Sequence, residues 1–300
     1  MRVEYVKRQN LNSRTAKTNK TELVWTRIIS YAVLLLLSVV VIYPFVIMVI
    51  ASITKGGSYS IGFEGFSFQG YAGLFTSVVA VDPNSGVPYL LTGLMNTLII
   101  TIPSTLMGLF VSAFSAYAFA KIKFKGRNVL FFILLMTMMV PGALLFVPSF
   151  IIYNRLGLIN TFFPLIVPGS FGAAMCVFFL RQSFMAIPDD YIEAAKLDGI
   201  GHFRIFWKII VPLSGPALIS QGLLGFVGGY NDYLGPLLYL QDSNLYTLQT
   251  ALHLIYTQQT NSGDNQMFLA ATVVSLLPTI LIFLFAQKYF VKGLTNSGLK

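Results

Sequence analysis

The sequence predicts an all-α polytopic membrane protein with six transmembrane helices, and three observations carry that prediction. First, 55% of its 300 residues are hydrophobic and only 10% are charged, against roughly 25% charged in soluble domains. Second, six apolar stretches recur near residues 28–52, 91–119, 129–151, 162–183, 212–238 and 267–288. About 20 such residues in a helix cover the hydrocarbon core, and lipid cannot hydrogen-bond an open backbone. Third, assigning alternate inter-span segments to the cytoplasm places 18 of the 20 Lys and Arg residues there, leaving only Lys55 and Arg155 outside. The positive-inside rule then puts both termini and the 188–212 segment in the cytoplasm. This distribution accounts for the net charge of +9 through contact with membrane lipid, without nucleic acid as a partner.

The chain divides into a cytoplasmic tail (1–27), a six-helix transmembrane domain (28–290) containing the cytoplasmic segment 188–212, and a cytoplasmic tail (291–300). The first 25 residues are polar and basic and lack a small-residue cleavage site after an apolar stretch, so they read as a tail and not a signal peptide. Span one is rich in Val, Leu and Ile, with Pro44 near its outer end. The outer segment 53–90 combines Gly and Ser with aromatics, and 239–266 is polar and nearly uncharged. Both compositions suit contact with a carbohydrate or a neutral protein rim, and equally any external loop.

Span two carries a string of small and polar residues: Asn96, Thr97, Thr101, Pro103, Ser104, Thr105, Gly108, Ser112 and Ser115. Close helix packing and the lining of a translocation path both fit it. Proline interrupts nearly every span, among them Pro141, Pro148, Pro168, Pro216 and Pro278, and each tends to bend its helix. Cys176, the sole cysteine, excludes a disulfide framework and reads as a buried small hydrophobe in span four.

The concentrated polar passage lies at 188–216, PDDYIEAAKLDGIGHFRIFWKIIVPLSGP. Pro188 suits a helix start, and Asp189, Asp190 and Glu193 favour its positive end. Gly199 sits where a left-handed stop belongs, which predicts a helix over 190–198. A second helix over 202–210 would put Phe203, Phe206, Trp207 and Ile210 on one face, and Pro212 would open span five. Ala194, Ala195 and Gly199 leave the backbone nearly bare, with Glu193 and Asp198 as anchoring charges. Such a knob offers a seat to another protein. The rival is an amphipathic loop lying on lipid, although its acids would be repelled by anionic headgroups.

Glu193-Ala194-Ala195, Gly199 after three residues, then Ile209 and Pro212 after nine more, resembles the EAA signature of ABC importer membrane subunits. Val211 stands where that family usually has Leu. The longer strings EAAKLDG and FWKIIVPLSGPAL, together with Asn96-Thr97, Asn231-Asp232 and the C-terminal KGLTNSGLK, resemble the carbohydrate branch, specifically the smaller membrane subunit of maltose-type importers. The resemblance implies a type I importer fold and a coupling helix seated on a cytoplasmic ATPase through Glu193, Ala194, Ala195, Asp198 and Gly199. It further implies a sister six-helix permease, two ABC ATPase subunits, an extracellular solute-binding protein, a bacterial cell membrane, and an oligosaccharide or glycoside as cargo.

No G-x-x-x-x-G-K-[ST] phosphate cradle occurs in the chain, so any ATP hydrolysis must come from a partner. The resemblance implies that ATP and magnesium sit on the partner ATPase and that this subunit has no cofactor and no catalytic residue. No metal-ligand constellation is visible. His202 and His253 fall on opposite sides of the membrane and read as surface side chains. Asn96, Asn231 and Asp232 are candidates for the translocation path. Asp232, beside Tyr230 and Tyr233, could meet a sugar hydroxyl, cap a broken helix before Gly235-Pro236 or pair with the sister subunit. An ion-gradient-driven secondary transporter is the alternative, and the six span interiors lack the clear acid such proteins normally carry. No nucleophile–base pair supports a membrane-embedded enzyme.

Overall fold

The structure, a computed structural model, describes residues 2–55, 65–83, 85–260 and 265–298, with side chains at 24–55, 65–83, 85–259, 265–285 and 287. Its helices, in order, are α1 (Arg2–Ser52), α2 (Gln69–Thr76), α3 (Tyr89–Lys121), α4 (Arg127–Thr137), α5 (Phe146–Arg155), α6 (Phe163–Ser170) and α7 (Ala174–Met185). There follow α8 (Asp190–Leu197), α9 (His202–Ile205), a π-turn at Phe206–Ile210, α10 (Val211–Leu213), α11 (Gly215–Tyr230), α12 (Leu234–Tyr239), α13 (Leu248–Thr260) and α14 (Gln266–Gly298). Among the described residues no strand forms, only two isolated bridges, Thr54 with Phe66 and Val81 with Pro88.

Four helices are long and apolar enough to cross a bilayer: Val24–Ser52, Tyr89–Lys121, Phe163–Met185 and Gln266–Phe285. The other two expected spans are bent pairs of helices. Span three bends by 83° between α4 and the stretch Gly142–Arg155, and the second bend, 84°, falls between His202–Leu213 and α11. Pro141 stands at the first break and Pro212 and Pro216 flank the second. A proline has no N–H for the carbonyl four residues back, and its ring crowds that carbonyl. Counting each bent pair as one span brings the number to six. Helix α1 runs without a break from Arg2, through the polar stretch, into the apolar stretch that ends at Ser52. The Lys, Arg, Gln and Leu residues of the polar stretch are good helix formers that extend an apolar helix already nucleated.

Helix α3 is the centre, packing against α6, α7, α11 and α13, whereas α1 leans mainly on α14. The polar string of span two explains the closeness of these contacts. A Cβ at Gly108 would collide with the carbonyl of Gly169 on α6, one at Gly229 would lie 2.8 Å from Thr101 Cγ2, and one at Gly93 3.1 Å from the Leu248 backbone. At these positions the string is a packing seam, as small residues allow where no water-driven burial exists. Large apolar side chains elsewhere, such as Leu35, Val41, Phe132 and Phe285, stay exposed, the surface that lipid solvates. Cys176 is half-buried against the cluster formed by Tyr117, Leu180 and Phe184.

Candidate functional site

The site is a knob built on the α3–α7 end of the bundle. Helix α8 opens after Pro188, with Asp190 and Glu193 in its first turn where negative charge offsets the positive helix end. It closes with a complete Schellman stop. The Ile200 N–H donates to the Ala195 carbonyl at 2.9 Å and the Gly199 N–H to that of Lys196 at 3.0 Å. Gly199 takes φ +74°, a conformation that needs glycine. This is the stop the sequence predicts.

The face of α8 differs from the one the sequence suggests. Ala194 and Ala195 do not form one bare patch. Ala195, only 5% exposed, and Ile192 point into the bundle, while Tyr191, Glu193, Ala194 and Asp198 are exposed and Leu197 is 89% exposed. Tyr191, Ala194 and Leu197 follow one another every three residues, so they share the outward side. The small side chain of Ala195 lets α8 settle on the core; that of Ala194 lowers the profile presented outward.

The second leg also departs from a regular helix. Through the π-turn the buried residues become Ile205, Phe206 and Ile210, leaving Phe203 and Trp207 exposed. The widened turn precedes Pro212, which cannot supply an N–H to the Lys208 carbonyl. Aromatic contacts bind this leg to the last turns of α3: Phe114 with Phe206 at 5.5 Å and Phe110 with Trp207 at 5.9 Å between ring centroids.

Two polar links join the end of α3 to the knob. The Lys121 ammonium donates to the Ile187 carbonyl and to Asp189 Oδ1, each at 2.6 Å. One turn earlier, the Tyr117 hydroxyl lies 3.0 Å from His202 Nδ1. The Lys121 hydrogen bond, reinforced by its charge, holds the Asp189 carboxyl below the usual carboxylate range. A depressed carboxylate strengthens the folded state above its ordinary pKa and loses that contribution as pH falls through the lowered value. Because Asp189 is 72% exposed, solvent keeps the effect small.

The candidates for a path lie at the far end of the bundle. Asn96 is buried, and its amide donates to the carbonyls of Asn244 (2.8 Å) and Tyr246 (3.0 Å). Asn231 donates to the Val227 carbonyl at 2.9 Å and accepts from Gln249 at 3.4 Å. Asp232 accepts the Gly235 N–H at 3.3 Å, at the break between α11 and α12. His253 is exposed with its ring 5.4 Å from Tyr233. Among the described residues no group of three or more His, Cys, Asp or Glu could hold a metal ion.

Sequence reasoning missed Lys121, which it counted only as one of the inner cations, and Leu197, whose exposure depends on which way α8 is turned. It also missed Asn160, at φ +61°, whose side-chain oxygen accepts the N–H groups of Gln241 and Asp242. Asn is the residue type most tolerant of that conformation, but nothing local pairs it with a loop 80 residues away.

Residues 105–296, which include the whole knob, match the family model "Binding-protein-dependent transport system inner membrane component". The chain belongs to that family. It is a non-catalytic membrane component of an ABC transport system. The arabinooligosaccharides transport system permease protein of Bacillus subtilis (strain 168) is 32% identical over 273 residues, covering 89% of this chain and 93% of that one. The sn-glycerol-3-phosphate transport system permease protein of Yersinia pestis bv. Antiqua (strain Antiqua) is 33% identical over 215 residues, covering 71% and 75%. In fold, the chain is similar to a solved bacterial ABC transporter involved in the import of the acidic polysaccharide alginate, with TM-score 0.73 and 24% identity over 88% of this chain and 95% of that one.

Proposed function

We propose that this permease subunit works in a bacterial cell membrane with six spans and both termini in the cytoplasm, and that α8 is the coupling helix on which a separate ATPase acts. The observation that carries the reading is the knob itself, a short helix stopped by Gly199 that turns Tyr191, Ala194 and Leu197 outward beside Glu193 and Asp198. Glu193, Ala194, Asp198 and Gly199 are the seat for the ATPase, and Ala195 supports them from beneath. A sister permease completes the membrane pathway and a second ATPase completes the engine, which holds the ATP and magnesium. A solute-binding protein delivers cargo to the far end, where Asn96, Asn231 and Asp232 stand around the mouth of the path. Glu193→Lys should lower ATPase co-purification by about tenfold or more, the size expected of a like-charge contact in an interface, with membrane insertion unchanged. Co-purification at the parental level would refute the docking assignment.

The cargo is a carbohydrate, an oligosaccharide or a related glycoside. That reading draws on the arabinooligosaccharide-transport relative and on the sparsely charged, aromatic-bearing composition of the far-end segments. Profiling the cognate binding protein against oligosaccharides, amino acids and short peptides tests it: selective binding of a peptide or amino acid would reject the carbohydrate assignment.

A further inference from the structure

Helix α3 carries one charged residue, Lys121, in its last position. A lysine at the end of a membrane helix ordinarily extends its ammonium into water. Lys123 and Lys125 nearby are exposed in that way. The Lys121 side chain is instead only 4% exposed, and an ammonium withdrawn from water needs acceptors close by. It has two, the Ile187 carbonyl and Asp189 Oδ1, and both lie at the entry to α8. The Asp189 carbonyl in turn accepts the Ile192 and Glu193 N–H groups, so Lys121 grips the first turn of the knob.

The opposite end of the same helix is gripped as firmly. Asn96 donates to the carbonyls of Asn244 and Tyr246, and Thr97 Oγ1 accepts the Leu248 N–H at 2.9 Å. Some 25 residues separate the two grips, about 37 Å along a helix, and α3 is continuous between them despite Pro103.

We propose that Lys121 is a positioning residue that makes α3 a strut, carrying displacement of α8 to the loop at 244–248. The inference rests on the docking of α8 to an ATPase proposed above. Without Lys121, α8 would still present Glu193 and Ala194 to the ATPase, but its movement would be taken up by slack at Ile187–Asp189.

The test uses the assembled importer in membrane vesicles, with Cys176→Ser removing the native thiol and Asn244→Cys as a reporter for a membrane-impermeant maleimide. Trapping with MgATP and orthovanadate should change the labelling rate at least about fivefold, the lower bound of ordinary coupling between distant sites. Lys121→Met should remove most of that change while ATPase co-purification stays at the parental level. Lys121→Arg should restore it, and Asp189→Asn, which leaves the Ile187 bond, should give an intermediate response. An unchanged response in Lys121→Met overturns the strut. Loss of ATPase co-purification in that variant overturns it as well, by reducing the clasp to a support of the docking face. Failure of the docking reading is distinguishable, because it leaves the ATPase bound to Glu193→Lys.

Discussion

Helices α1 and α3 both have the length and apolarity to cross a bilayer, yet they hold opposite places in the bundle. The most apolar 18-residue stretch of α1 has no buried residue, while a third of the corresponding stretch of α3 is buried. The buried helix is the more polar one: Asn96, Thr97, Thr101 and Ser112 are all buried within it. In water this order would be reversed. In a bilayer, tails are as apolar as Leu, so a purely aliphatic helix gains little by turning inward, and association favours small residues and interhelical hydrogen bonds. Of the four unbroken spans, the least hydrophobic becomes the core.

That contrast makes three predictions. The largest concerns the seam. Gly108→Leu drives a side chain into the Gly169 carbonyl and should destabilise the bundle by about 3 kcal/mol, the upper part of the range for overpacking, in an SDS-unfolding titration. A small effect would mean that α3 and α6 can separate without loss, and the contrast with α1 would weaken. Next comes the far-end grip. Asn96→Leu leaves the Asn244 and Tyr246 carbonyls without their donor and should cost about 1–2 kcal/mol, measurable as faster amide exchange across 244–248. Protection unchanged from the parent would show that the loop is held by other contacts. The smallest effect belongs to α1, where Leu36 is exposed. Leu36→Ala should change stability by less than about 0.6 kcal/mol, within the range of one residue's insertion energy. A loss comparable to that of Gly108→Leu would reveal a protein neighbour where lipid is expected.

Much of the knob was legible in the chain because its signals are local. Pro188, the acids of the first turn and Gly199 each act on backbone within a few residues, and the structure keeps both ends of α8 where they imply. The orientation of α8 was not legible. Ile192 with Ala195 and Tyr191 with Ala194 both offer an apolar edge, and only contact with the core decides which turns inward. The register of the second leg failed for a related reason, since a π-turn adds a residue to one turn and moves Phe203 and Trp207 off the buried face.

Apolar run length, charge placement and turn-forming residues determined the helical membrane character and the existence of the knob, because each works over a few to about twenty neighbouring residues. Tertiary structure alone decided that α3 lies at the centre and that Lys121 turns inward to Asp189 across 68 residues of chain. Those outcomes depend on which surfaces meet, and a hydrogen bond or a close glycine contact between distant segments has no signature in either segment alone.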